Sequence, residues 1–151
     1  MPGSLNLTGT RAIVAYTTFT ITIDMVDAAG DPIDLSPFDP VTNALAQGMR
    51  AMFRQTIASA DPPLFDCKDP SVAGAVFPGT GVTITQPATL GRVVLTISAA
   101  ETGLKTQGAT PAIPSGVWDM VGVGKITVAK DYILALVEGN FDVNTQVTRG
   151  I

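Results

Sequence analysis

Few side chains in this chain could do chemistry. Histidine is absent from the 151 residues, and cysteine occurs once, as Cys67. That removes the commonest general base, the commonest metal ligand and most hydrolase triads. Thiolate metal sites fail with them. Cys67 has no partner for an internal disulfide and stands in Phe65-Asp66-Cys67-Lys68-Asp69, a polar stretch that reads as loop. With no base beside it, it reads as a free small residue in a reducing compartment. The carboxylates are the remaining candidates. Asp66 with Asp69, and Asp24 with Asp27, are close in sequence. Glycosidases use paired carboxylates and calcium loops use clustered oxygens, but neither spacing matches a ligand loop. Solvated turn residues are the better reading. Gly79-Thr80-Gly81 looks like a fragment of a phosphate loop, yet no Lys-Ser/Thr follows, so a turn is preferred. Asp119, mid-strand beside Trp118, is the acid of most interest. Facing inward it must find Arg or backbone partners; facing outward it sits on an open sheet. No catalytic, cofactor-binding or metal-binding residue is assigned, and an enzyme is the least favoured class.

The elements that would position these residues read as strands. In residues 16–26, Phe19, Ile21, Ile23 and Met25 alternate with Thr18, Thr20, Thr22 and Asp24. A helix cannot hold that period, and β-branched Thr suits a half-exposed pleat. Asp27-Ala28-Ala29-Gly30-Asp31-Pro32 is a turn, after which Ile33-Asp34-Leu35 resumes an extended course. Residues 36–48 are ambiguous, with room for one helical turn. Met49 to Ile57 reads as a strand with a basic outer face carrying Arg50 and Arg54. Residues 58–81, rich in Pro and Gly, are expected to form one long loop, anchored by Leu64-Phe65 and Val76-Phe77. Such loops are uncommon in compact domains and often face a partner. Val82–Thr85 and Gly91–Ser98 are strands. Ser98 followed by Glu101 has capping-box spacing and predicts a helical turn through Leu104. Val117–Val123 and Tyr132–Val143 close the domain as a pair, with Gly139 marking a bulge.

Seven or eight short strands, long Pro/Gly loops and one or two helical turns predict an all-β, Greek-key β-sandwich over residues 1–151. The length suffices for one domain with a real core. Charged residues make up only 15%, against about 25% in typical domains. A partner covering part of the surface explains that shortage, and so does a large core. The net charge is −4 with nine dispersed Lys and Arg, which argues against a nucleic-acid patch unless folding gathers Arg50, Arg54 and Arg92. The N-terminus lacks the basic and apolar regions of a signal peptide, and no apolar run is long enough for a membrane-spanning helix.

Four segments, in order, carry a resemblance to a known group. They are Val26-Asp27-Ala28-Ala29-Gly30-Asp31-Pro32-Ile33-Asp34-Leu35-Ser36, then Gly91-Arg92-Val93-Val94-Leu95-Thr96-Ile97-Ser98-Ala99-Ala100-Glu101-Thr102-Gly103-Leu104, then Pro114-Ser115-Gly116-Val117-Trp118-Asp119, and finally Glu138-Gly139-Asn140-Phe141-Asp142-Val143 running to Val147-Thr148-Arg149. Across most of its length the chain resembles small virion proteins of tailed phages. The resemblance implies an Ig-like sandwich and a non-enzymatic role in a bacteriophage tail, as a baseplate or tail-fibre adaptor made in the host cytoplasm and working by protein–protein contact. It implies other virion proteins as partners, a homo-oligomer in the particle, no cofactor, no nucleic acid and no membrane. Ser36–Gly48 and the 58–81 loop are longer than the group's pattern, and the loop could be a docking arm.

The contact residues expected on this reading are Phe65, Val76, Phe77, Tyr132, Leu134, Leu136 and Arg149, with residues 1–10 and 144–151 as short terminal arms. Tyr132, Leu134 and Leu136 alternate with Ile133, Ala135 and Val137, so both faces of that strand are apolar, as in strands buried on two sides. The loop aromatics could equally cap the core. A head-side decoration or neck protein, and a carbohydrate-binding adhesin module with exposed aromatics, are the competing roles.

Overall fold

A computed structural model describes residues 3–42, 46–58, 63–72, 79–105, 115–127 and 130–144, with backbone alone for 104–105, 125–127 and 130–134. The protein is mostly β, with two sheets in a sandwich-like arrangement. In chain order the strands are β1 (Gly3–Ser4), β2 (Ile13–Val14), β3 (Phe19–Asp24), β4 (Gly48–Arg54), β5 (Phe65–Lys68), β6 (Gly81–Ile84), β7 (Arg92–Ile97), β8 (Ser115–Thr127) and β9 (Lys130–Asn144). One helix, α1 (Ala99–Lys105), lies between β7 and β8. The large sheet runs β1-β9-β8-β4-β5, with β2 also on β9, and the small sheet runs β3-β7-β6.

Strand periodicity becomes burial directly. In β4, Met49, Ala51 and Phe53 are fully buried while Arg50, Met52 and Arg54 are half-buried on the outer face. Phe53 is the centre of the core. It stacks on Trp118 at 5.5 Å between ring centroids and meets Phe141 and Phe65 edge-on at 5.1 and 5.7 Å. Offset and edge-on geometries suit the ring quadrupoles and add to the area term. Burying a ring of this size stabilises by about 1.5–3 kcal/mol. The small sheet closes the other side with Val93, Leu95 and Ile97, all fully buried.

The expected single loop over 58–81 is interrupted by β5, which pairs with β4 in the register Ala51↔Cys67 and Phe53↔Phe65. Cys67 is therefore a buried strand residue rather than a loop thiol. Asp66 and Asp69 are not solvated turn residues either. Asp66 takes both guanidinium bonds of Arg50, at 2.8 and 2.7 Å. Asp69 is 5% exposed and accepts the N–H and hydroxyl of Ser71. It packs where Gly48, at φ +81°, has no side chain; a Cβ there would strike the Asp69 side chain. The ambiguous stretch after Leu35 contains a short 3-10 turn, Ser36–Phe38.

The helix forms where the capping box predicts. Ser98 Oγ accepts the Glu101 N–H at 3.3 Å, but the Ser98 N–H donates to Thr80 Oγ1 at 2.9 Å, so the cap is shared with the chain before β6. The Thr102 hydroxyl donates to Thr17 O at 2.9 Å and ties the helix to the approach to β3.

Residues 3–8 are not a free arm. Leu5 and Leu7 donate to Glu138 O and Asn140 O, and the segment lies parallel to β9 as far as Ile13↔Val143 and Val14↔Asn144. Gly139 is not the bulge. It pairs with Trp118, and its missing side chain makes room for the Leu5 carbonyl. That carbonyl accepts the Trp118 indole N–H at 3.0 Å. One register break falls between Met120↔Val137 and Val121↔Ala135, leaving Leu136 as the extra residue, and a second falls between Lys125 and Thr127. A bulge lets two consecutive side chains point the same way, and Leu136 and Val137 are both buried while Ala135 is exposed.

Candidate interaction surface

The expected contact residues do not come together. Phe65 is fully buried against Phe53, and Leu136 is 7% exposed, so neither presents a useful surface. Val76, Phe77 and Arg149 lie outside the described residues, as do the side chains of Tyr132 and Leu134. Arg50, Arg54 and Arg92 do not form a basic patch. Arg50 pairs with Asp66 on the large sheet, and Arg92 pairs with Asp24 on the small one, at 2.6 Å.

Open regions stand in their place, three of them along the strands and a fourth, about 480 Å³, over Ser4–Arg11. One is a groove of about 590 Å³ on the outer face of the large sheet. β4, β8 and β9 supply its walls through Met52, Arg54, Val117, Asp119, Glu138 and Asn140. Strand alternation explains this set, because every second residue of β8 from Val117 onward points away from the core. Asp119 resolves the ambiguity in the sequence by facing outward, half-buried and directly opposite both Met52 and Glu138. Burial pushes its carboxyl above the usual carboxylate range, the Arg54 guanidinium pulls it back, and the Glu138 charge pushes it further up. Like charges opposed across strands are unfavourable. Among the described residues no cluster of three or more His, Cys, Asp or Glu could hold a metal.

The other two of the three lie along the β3 side of the sandwich. A cleft of about 760 Å³ separates the Ile23–Ala28 end of β3 from Gly3–Leu5 and Ala135–Val137. A smaller one, about 390 Å³, lies between the Thr10–Val14 stretch and Thr17–Ile21. Neither was legible in the sequence, because each is walled by segments over 100 residues apart or by an irregular turn. The alternation in β3 was the available signal. Ile21 faces the core between buried Phe19 and Ile23 yet is only half-buried.

Cys67 is not a reactive group in any of these places. Burial first, then the charges of Glu101 and Asp66, hold its thiol well above the usual range. A thiol so placed is largely protonated at neutral pH and a poor nucleophile. No protein-family model matches this chain, and no curated protein matches it.

Proposed function

We propose that this chain is a non-enzymatic structural component of a bacteriophage tail, a baseplate or tail-fibre adaptor acting through protein–protein contacts on an Ig-like Greek-key sandwich. The order of sheet crossings supports the sandwich part of this reading, and the segments that resemble tailed-phage virion proteins support the tail part. The chain changes sheets from β3 to β4, β5 to β6 and β7 to β8, and stays within a sheet from β4 to β5, β6 to β7 and β8 to β9. In variable-type Ig sandwiches strands B, C, C′, D, E, F and G change sheets in this order, which supports the Ig-like part of the reading. The resemblance segments fall on it consistently. Val26–Ser36 follows β3, Gly91–Leu104 spans β7 and most of α1, and Ser115–Asp119 opens β8. Glu138–Val143 closes β9.

A carbohydrate-binding role has less support. It needs exposed aromatic rings, and among the described residues Tyr16, at 37% exposure, is the exposed one. Immunogold labelling of virions tests the tail assignment. Label on tails is the expected outcome; label on heads, or none on the particle, overturns it.

A further inference from the structure

β3 is an edge strand with one partner. It pairs with β7, and no described residue pairs along its other side. Antiparallel ladders alternate between residues that exchange hydrogen bonds with the neighbour and residues that do not. Met25 N–H donates to Gly91 O at 2.8 Å, one step past the β3–β7 register. The peptide groups of Phe19, Ile21 and Ile23 therefore turn toward β7. Those of Thr20, Thr22 and Asp24 turn outward. The far side of β7 obeys the same parity, since Thr85 N–H donates to Arg92 O at 2.9 Å.

Natural edges are usually blunted by charged side chains, prolines, bulges or shortness. β3 carries one charge, Asp24 at its last residue and paired with Arg92, and no proline over its six residues, and its alternating Thr and Ile suit strand pairing. Beside it lies the 760 Å³ cleft, with Ile23, Met25, Ile33 and Leu136 among its walls. Val26 stands 54% exposed at its rim. The two ends of the seam differ in charge. Asp24 and Asp27 line one end and Arg11 lines the other. Asp24 already engages Arg92, while Arg11 makes no ion pair with a described residue.

We infer that this seam is a docking site for one extended segment of another polypeptide, added to β3 as an antiparallel strand. Its occupant spans about six to eight residues at about 3.3 Å each. It is apolar at every second position, with a basic residue at its N-terminal end beside Asp24 and Asp27 and an acidic one at its C-terminal end beside Arg11. The outward N–H and C=O groups of Thr20, Thr22 and Asp24 supply the ladder, and the cleft supplies specificity, as in strand addition generally. A single strand fits better than the edge of a second copy. The N-terminal segment and β9 already wall the cleft, and a second sandwich would bring its own large sheet into that layer. The inference concerns this edge alone and stands apart from the virion assignment, so each can fail without the other.

The test uses the full chain and a fluorescein-labelled peptide, Lys-Thr-Val-Thr-Val-Thr-Val-Glu, read by anisotropy. A second peptide exchanges its terminal Lys and Glu. Saturable binding is expected, with the exchanged peptide about tenfold weaker. Thr22→Pro removes one outward N–H and spares the β7 ladder, a position where edge strands accept proline; it should abolish binding with a normal circular dichroism spectrum. No saturable binding by the parent chain, or equal binding by a folded Thr22→Pro chain, overturns the proposal. If that variant does not fold, Arg11→Glu decides. It should narrow the difference between the two peptides, and an unchanged difference counts against the docking. A dimer of the parent chain in sedimentation that Thr22→Pro dissolves would assign the edge to a second copy and overturn the foreign-strand occupant.

Discussion

The two lateral sides of the sandwich are built on different terms. On the β5/β6 side both edge strands are four residues long, and β5 carries Asp66 and Lys68 outward. The sheets nearly touch there, since a side chain at Gly81 would meet the Lys68 carbonyl and the Pro70 ring. On the β3 side the edge is six residues long, and the inward Ile21 is left half-buried beside an open cleft. This second side has an apolar wall and, among the described residues, backbone polar groups of β3 with no strand partner, which is what the proposed docking rests on.

The comparison can be broken by mutation, most severely at Phe53. Phe53→Ala removes the ring that Phe65, Trp118 and Phe141 share, and should cost about 3–5 kcal/mol in urea unfolding. A loss near 1 kcal/mol would mean that the closed side is not the mechanical centre. Gly139→Ala comes next, because its Cβ would collide with the Leu5 carbonyl and push the N-terminal segment off β9. We expect about 1–3 kcal/mol of destabilisation, with faster amide exchange at Leu5 and Leu7 than elsewhere. Uniform exchange would show that the segment is held by other contacts.

Ile21→Ala on the open side should cost less than Phe53→Ala, about 1–2 kcal/mol, because Ile21 keeps part of its surface in water already. Equal losses at Phe53 and Ile21 would erase the distinction between the sides. The smallest effect concerns pH. The Asp119 carboxyl is raised in the folded state, chiefly by burial, so the folded protein holds that proton more tightly than the unfolded chain. Its contribution to stability must fall as pH rises from the unfolded pKa through the folded one. Asp119→Asn should be slightly more stable than the parent at neutral pH and should converge with it at strongly acid pH, as read by thermal melts. The opposite trend would mean that pairing with Arg54 outweighs burial.

Much of the strand inventory was legible because it depends on period alone. β3, β4 and β7 carry clear alternation, β8 and β9 read as strands from their apolar runs, and Ser98 and Glu101 announce the helix. β5 was missed although Phe65 and Cys67 alternate with Asp66 and Lys68. Charges at every second position look like loop until Arg50 is placed opposite Asp66. The bulge was assigned to Gly139 because glycine often marks one, whereas the real bulge at Leu136 carries no such mark. Phe65 reads as a contact residue because it is apolar in an apparent loop, a criterion that cannot separate a side chain in the core from one on the rim.

The sequence by itself determined that the protein is mostly β, which residues alternate inward, and that the chemistry of histidine is absent. Those properties follow from neighbours along the chain and from residue type. Tertiary structure decided the rest: the parallel seating of residues 3–8 on β9, the burial of Cys67 and Asp69, the outward turn of Asp119, and the open edge of β3. Each depends on which distant segment lies alongside, and a strand's own residues do not say whether its second edge has a neighbour.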